Sequence, residues 1–277
     1  MLKKILRSPK AYVSIALLMG VLLVALAGPA FAPHNPLSQN LRATLRPPAF
    51  LPGGAWTHVL GTDYHGRDVL SRIIHGTRHS LMVASLAVAL SAVVGVTVGL
   101  IGGYFGGIID AVLMRLCDVM MAFSPLILGV AVLAIFPPGG ATVSVVIALS
   151  TWAWFARTIR SSVLRLRELE FVESARSLGA NNVRVIGRHI FPSVLPIIIV
   201  MATTLLGFAI LMEAALSFFG LSGTTLSWGW DIAQGRDFIR QAWWLATAPG
   251  LAILVTVMAL NSLGDWLRDE LDPTVRT

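Results

Sequence analysis

Long apolar stretches without charge alternate with short charged segments along the whole chain. A helix needs about 20 apolar residues to cross the hydrocarbon core of a bilayer. The stretch from Val119 to Ala156 is too long for one crossing, and Pro137-Pro138-Gly139-Gly140 divides it at a tight turn. The pattern therefore predicts an all-α integral membrane protein with six transmembrane helices, near residues 11–31, 81–109, 119–136, 141–159, 190–212 and 242–264.

The basic residues predict the orientation of these helices. Lys3, Lys4, Arg7 and Lys10 precede the first span, which favours a cytoplasmic N-terminus, and six spans return the C-terminus to the same side. With this orientation, fourteen of the 21 basic residues lie inside and seven outside. Ala30-Phe31-Ala32 resembles a signal-peptide cleavage site, but Pro33 would follow the cut, so we expect an uncleaved anchor.

Composition narrows the class of protein further. Only 13% of the 277 residues are charged, about half the usual share in a soluble protein. The net charge of +7 could indicate nucleic-acid binding, but basic cytoplasmic loops of a membrane protein explain it equally well. We therefore expect membrane lipid, and no nucleic acid, as a partner. A single cysteine, Cys117, excludes an internal disulfide.

The positions of the lysines indicate whether this chain contains a common ATP-binding motif. All three lie within the first ten residues, and none follows a glycine-rich loop. A Walker A motif needs such a lysine to reach the nucleotide phosphates. If the protein uses ATP, another chain must bind it.

The predicted outside loop, residues 33–78, contains a charged segment with helical spacing. Asp63, Arg67, Asp68 and Arg72 stand in it, and Asp68 and Arg72 are four residues apart, so they could pair on one helix face. Two interpretations remain open, a solvated helix leading into the second span or a docking surface for an outside partner. His75 and His79 share this spacing, but no third ligand follows, so we predict no metal site.

The predicted inside loop, residues 164–192, consists of two short amphipathic helices joined by an elbow. Gly179 fits a helix C-terminus, because glycine tolerates the left-handed backbone that a helix stop needs. Asn181 or Asn182 can cap the second helix. We expect one apolar face from Phe171, Ala175 and Leu178 and another from Val183, Ile186 and Ile190, with Pro192 beginning span five. The loop could lie on lipid headgroups or dock as a rigid lever into a soluble partner.

Several motifs in this loop and beyond it resemble a known family. Glu173-Ser174-Ala175 followed by Gly179 is similar to the EAA motif of bacterial ABC-importer permeases, although His189 and Phe191 replace its usual isoleucine and leucine. The peptide/nickel branch of that family is the best match, because its other motifs recur in order. They are Gly61-Thr62-Asp63, Gly66-Arg67-Asp68, Ser71-Arg72, the segment from Glu213 through Phe218 and Phe219 to Leu221, and the segment from Leu263 to Pro273.

The resemblance implies a MetI-like type I ABC importer permease fold and a set of partners. The chain would be a non-enzymatic C-type subunit in a bacterial inner membrane. It would form a pore with a homologous second permease, alongside two ATP-binding subunits and a periplasmic or lipid-anchored substrate-binding protein. ATP and Mg²⁺ would be bound by the partners, with no cofactor on this chain. The implied cargo is di- or oligopeptides, with nickel or another small ligand as the alternative.

The resemblance also assigns roles to residues and segments. The ATPase-coupling region would comprise Glu173, Ser174, Ala175, Arg176, Leu178, Gly179, Ala180, Asn182, Arg184, Arg188 and His189. Glu213, Phe218 and Phe219 would form a gate or pore contact, although Glu213 could also be a wet acid near the outer surface. The expected segments are an anchor at 1–32, a periplasmic loop at 33–78, a five-helix core at 79–267 with the coupling loop at 164–192, and a tail at 268–277.

Other classes of membrane protein are disfavoured by the same residues. An intramembrane enzyme would need a nucleophile and base on facing helices, but the histidines near the spans, His79 and His189, lie at membrane edges. An autonomous ion-coupled carrier would usually show more buried acids and an inverted repeat.

Overall fold

A computed structural model describes residues 9–223 and 226–271, and these residues are mostly helical. The N-terminal cluster Lys3, Lys4 and Arg7 and the tail after Leu271 lie outside the described residues. The helices are α1 (Pro9–Phe31), α2 (Val69–Phe105), α3 (Gly107–Ala122), α4 (Pro125–Leu133), α5 (Gly140–Leu166), α6 (Glu170–Ser177), α7 (Asn182–Val185), α8 (Phe191–Phe218), α9 (Trp228–Arg236) and α10 (Trp244–Leu271). A 3₁₀ turn (Leu41–Ala43) follows α1, and a π turn (Ile186–Ile190) joins α7 to α8.

Apolar helices occupy each region predicted to cross a membrane. Among the described residues, four helices are long and apolar enough to span: α2, α5, the continuous helix Asn182–Phe218, and α10. The pair α3–α4 makes a fifth if its bent halves count as one span, and α1 has a shorter apolar part, Tyr12–Gly28. The all-α membrane class is confirmed, whereas the count of six stays a prediction.

The second span ends earlier than predicted. The helix begins at Val69, so the segment with helical spacing before the span is continuous with it. It ends at Phe105 and not at residue 109, because Gly106 and Gly107 have φ values of +66° and +57°. Such left-handed backbone is favourable for glycine and breaks a right-handed helix.

The third span is also not the straight helix that was predicted. It starts earlier, at Gly107, and turns by 87° between α3 and α4. Pro125 starts α4, where its missing N–H costs no hydrogen bond. An uncharged run contains no information about such a bend. The turn predicted at Pro137–Gly140 is confirmed, since α5 begins at Gly140.

The centre of the bundle is the contact between α2 and α5. Gly95, Gly99 and Gly103 recur every fourth residue on α2 and face α5 at close range. A Cβ added at Gly95 would lie 2.3 Å from the carbonyl oxygen of Trp152, and one at Gly99 would lie 2.6 Å from that of Ala156. Small residues at this spacing let membrane helices approach closely. The Ser91 and Thr151 hydroxyls, 2.6 Å apart, add a hydrogen bond across the same contact.

Helix α8 packs on α2, α5 and α10, and α10 in turn contacts α1 and α9. Pro192 lies at the start of span five, as predicted, but no break separates it from the second loop helix. The helix runs without a stop from Asn182 to Phe218, and the π turn at 186–190 carries it into α8. Pro192 lies in the first turn of α8, where a proline is tolerated. The second loop helix and span five are therefore one rod.

Candidate functional site

The elbow between α6 and α7 has the geometry expected for Gly179. Gly179 adopts φ +82°, and its N–H donates to the carbonyl of Arg176 at 2.9 Å. The N–H of Ala180 donates to the carbonyl of Ala175 at 3.1 Å, which completes a Schellman motif at the end of α6. The prediction that Gly179 stops the first helix is confirmed.

The second helix of the elbow is capped by Asn181, one of the two candidates. Its side-chain oxygen accepts a hydrogen bond from the N–H of Arg184 at 2.8 Å. Asn182 has a different partner, because its side-chain oxygen accepts from the hydroxyl of Tyr104 at 2.8 Å. The guanidinium of Arg176 lies 4.9 Å from the centre of the same Tyr104 ring. Tyr104, at the end of α2, therefore contacts both arms of the elbow.

The structure separates the apolar residues of the elbow into a buried set and an exposed set. Val172, Val185 and Ile190 are fully buried in the main core of the chain. Leu178 and Val183, one on each of the two predicted apolar faces, are 88% and 79% exposed. Helical spacing alone could not identify which apolar face packs on the chain itself. The elbow is thus attached to the core on one side and presents large apolar side chains on the other.

The remaining residues of the predicted coupling set surround these exposed side chains. Glu173, Ser174, Arg176, Arg184 and Arg188 are exposed, whereas Ala175, Ala180 and His189 are half-buried. Exposed apolar groups rimmed by charge are typical of protein interaction sites. The role of each residue stays a prediction.

The charged side chains of the predicted outer loop are buried and bind one another or neighbouring parts of the chain. They are therefore not the exposed docking surface that was one of the two interpretations. Asp63, Arg67, Asp68 and Arg72 are each at most 7% exposed. The Nε of Arg67 donates to an oxygen of Asp63 at 2.6 Å, while Asp68 caps α2 by accepting from the N–H of Ser71 at 2.8 Å. The four residues hold the loop on the helices and expose almost no charge.

Arg72 does not pair with Asp68, as its spacing suggested, but with Asp231 in α9. Its Nε donates to Asp231 Oδ1 at 2.9 Å, and the pair links α2 to a helix 159 residues away in sequence. Burial raises the pKa of Asp231 to about 6, although the charge of Arg72 acts in the opposite direction. The sequence contained no signal for this pair, because the partners meet only in the folded chain.

Glu213 lies inside the helix bundle and is fully buried. The hydroxyl of Ser217 donates to its Oε1 at 2.6 Å, and the Nε2 of His79 lies 4.0 Å from the same oxygen. The interpretation of Glu213 as a wet surface acid is therefore wrong. Phe218 packs under the guanidinium of Arg236 at 5.5 Å, whereas Phe219 is 62% exposed and lines an apolar groove with Leu126, Ile127, Val130, Ala131 and Leu216. A gating role for these residues stays a prediction.

Two further ion pairs, which no local spacing predicts, hold α3 to α5. Arg160 donates to both oxygens of Asp110 at 2.5 Å each, and Arg157 pairs with Asp118. A hydrogen bond of 2.9 Å from Arg167 to the carbonyl of Gly103 fixes the end of α5 on α2. Charged side chains from α3 and from α5 and its end thus tie α2, α3 and α5 together.

Comparison with known proteins identifies the family. Residues 95–277 match the profile described as the binding-protein-dependent transport system inner membrane component. The chain belongs to this family. Residues 1–48 match a second profile, the N-terminal transmembrane domain of oligopeptide transport permease C. The chain is therefore a multi-pass permease component of an inner membrane transport system, as the motifs implied.

Two proteins that are similar over most of their length are named as peptide transport permeases. The dipeptide transport system permease protein DppC of Escherichia coli K12 is 42% identical over 272 residues, 98% of this chain and 91% of the relative. The di/tripeptide transport system permease protein DppC of Pseudomonas aeruginosa is 38% identical over 258 residues, 92% of this chain and 85% of that protein. A chain in an inward-facing structure of the MetNI methionine ABC transporter covers 73% of this chain, and 96% of its own length aligns. Its TM-score is 0.62 at 16% identity, which supports the MetI-like fold alone.

Proposed function

We propose that this chain is one subunit of an ATP-driven importer that moves di- or oligopeptides into the cell. It forms a pore with a homologous second permease, and a substrate-binding protein delivers the peptide from outside. Two ATPase subunits bind ATP and Mg²⁺ at the cytoplasmic side, where both termini of this chain lie. The names of the relatives support the cargo, and the absence of a Walker A lysine in the sequence supports the division of labour.

The observation that carries this proposal is the two-sided elbow formed by residues 170–190. One side packs on the core through Val172, Val185 and Ile190, so a movement of the elbow is transmitted to the bundle. The other side exposes Leu178 and Val183 among arginines and acids. Covering these two side chains by a partner removes apolar surface from water, which contributes about 25 cal/mol per Å². The proposed occupant is a groove on an ATPase subunit.

The continuous helix Asn182–Phe218 supplies the mechanical connection. Its 37 residues span about 55 Å at 1.5 Å per residue. When ATP binding closes the two ATPase subunits, a docked elbow must move with them. The rod then tilts against α2, α5 and α10 and changes which side of the pore is open. No loop interrupts the rod between the elbow and Phe218, so the movement passes along one helix through the π turn and Pro196.

Site-specific photo-crosslinking tests the docking surface. A benzophenone amino acid at Leu178 or Val183 should form a crosslink to an ATPase subunit in membranes that contain the assembled complex. The same residue at Trp56, which is 82% exposed but belongs to the outer loop, is the matched control and should form none. Crosslinks from Trp56 alone, or from no position, would refute the assignment of the elbow.

Transport by the reconstituted complex tests the overall activity and the cargo. Vesicles that contain both permeases, the ATPase subunits and the binding protein should accumulate a labelled dipeptide only when ATP is supplied on the ATPase side. Uptake of Ni²⁺ without uptake of peptide would replace the cargo and keep the architecture. Flux in vesicles that contain only this chain would overturn the proposal in favour of an autonomous carrier.

A further inference from the structure

We propose that His34, His58 and Asp68 form a Zn²⁺ site that joins three separate segments of the chain. One nitrogen from each histidine and one oxygen of Asp68 lie within 4.8 Å of one another. His34 follows α1, His58 belongs to the loop before α2, and Asp68 caps α2. No spacing rule predicts this set, because its members are 24 and 10 residues apart in sequence.

The distances between the donor atoms suit a tetrahedral ion. Zn²⁺ binds nitrogen and oxygen at about 2.0–2.1 Å, so tetrahedral ligands lie about 3.3 Å apart. The Nδ1 of His58 is 2.9 Å from Asp68 Oδ1, and the Nδ1 of His34 is 3.8 Å from the same oxygen. These values bracket the ideal separation, and no pair of donors exceeds it by more than about 1.5 Å. Small side-chain rotations complete the three-ligand set.

The surroundings already orient the ligands. The second oxygen of Asp68 accepts hydrogen bonds from the N–H and the hydroxyl of Ser71, at 2.8 and 2.7 Å, which turns Oδ1 toward the histidines. The same Ser71 hydroxyl accepts from the N–H of His34 at 3.0 Å and so holds the first ligand beside the third. Such outer contacts fix the orientation of metal ligands in known sites. Binding would replace the direct contact of 2.9 Å between His58 Nδ1 and Asp68 Oδ1.

Burial and donor chemistry select the type of metal. The Asp68 side chain is 1% exposed and that of His58 is 13% exposed, so a charge in this place is shielded from water. His34 is 39% exposed, which leaves an entry path and room for a water as fourth ligand. Two imidazoles and one carboxylate favour Zn²⁺ over Mg²⁺ and Ca²⁺, which prefer oxygen ligands alone. The ion would clamp the outer loop to the ends of α1 and α2.

Metal titration of the assembled complex tests the site. The complex should be purified without a polyhistidine tag, stripped with a chelator, and titrated with Zn²⁺ by calorimetry. We expect one high-affinity ion per chain and a higher Tm with Zn²⁺. His34→Gln and His58→Gln should each weaken binding at least tenfold, because even the loss of an outer-shell partner costs about 10- to 100-fold. His65→Gln, from the same loop but outside the cluster, is the matched control and should bind normally.

Co²⁺ as a spectroscopic probe separates this site from other modes of binding. Four-coordinate Co²⁺ absorbs strongly in the visible range, and this band should disappear in His34→Gln, at a position that is partly exposed and outside the core. Failure of the unmodified complex to bind Zn²⁺ in the micromolar range would overturn the proposal. Undiminished binding by both variants would overturn it as well. None of these measurements depends on transport, so they stand apart from the proposed function.

Discussion

Gly179 offers the most direct test of how the elbow works. Its φ of +82° places it in the left-handed region, and a Cβ built on it meets no heavy atom within 4 Å. A substitution therefore costs only the intrinsic penalty of left-handed backbone, about 1–2 kcal/mol for a residue with a Cβ. That penalty reduces the population of the native elbow relative to other conformations by roughly 5- to 30-fold. Gly179→Ala should weaken coupling, and the β-branched Gly179→Val should weaken it further.

The matched control is Gly187, in the same segment. A Cβ at Gly187 also meets no heavy atom within 4 Å, but its φ is not positive. Gly187→Ala should be neutral, or stabilising by about 0.5–1 kcal/mol, because alanine loses less entropy than glycine in a helix. Gly179→Asn should retain more activity than Gly179→Ala, since asparagine tolerates the left-handed conformation.

The assay compares ATP hydrolysis by the reconstituted complex with and without peptide-loaded binding protein. Gly179→Ala and Gly179→Val should lower the stimulated rate while the amount of chain inserted in the membrane stays constant. Equal losses in Gly179→Ala and Gly187→Ala would show that surface change, and not backbone strain, is responsible. Full stimulation in Gly179→Val would refute the reasoning.

Three further predictions follow from the packing. Gly99→Ala should destabilise the chain by about 1–3 kcal/mol, because its Cβ meets the α5 backbone. Gly250→Ala, whose Cβ meets nothing within 4 Å, should have little effect, and equal Tm values of the two variants in detergent would contradict this. Tyr104→Phe should lower the free energy of unfolding by about 1 kcal/mol and speed hydrogen exchange in residues 176–190, since one hydrogen bond to the elbow is lost. Unchanged exchange would disprove the anchoring role of Tyr104. Asp110→Asn should lower the free energy of unfolding by about 1.5–3 kcal/mol, because it weakens the pair of hydrogen bonds with Arg160. A Tm equal to that of the unmodified chain would argue against a stabilising role of this pair.

Much of the helical layout follows from local patterns, and these predictions succeeded where the cause is local. Gly179 and Asn181 end and begin helices through hydrogen bonds to residues at most five positions away. The turn at Pro137–Gly140 is equally local. The repeat Gly95, Gly99 and Gly103 is also visible in the sequence and predicts close helix packing, so this contact could have been found.

The site required information that no local pattern contains. The bend between α3 and α4 occurs within an uncharged run. An uncharged run indicates that a segment lies in lipid, but not the direction in which its helices run. Arg72 was assigned to Asp68 by helical spacing but pairs with Asp231 in α9. The predicted apolar residues of the elbow include both buried Ile190 and exposed Leu178 and Val183, because helical periodicity does not indicate which of them the bundle covers.

The sequence by itself determined that most of the chain lies in lipid. It also determined the class of fold, the family and the position of the elbow. These properties depend on composition, on the order of motifs, and on contacts between residues close in the chain. Only the tertiary structure decided which charged residues are structural, which apolar side chains remain free for a partner, and that His34, His58 and Asp68 meet. The physical reason is that ion pairing, burial and metal coordination depend on distances between residues far apart in sequence, and folding alone sets those distances.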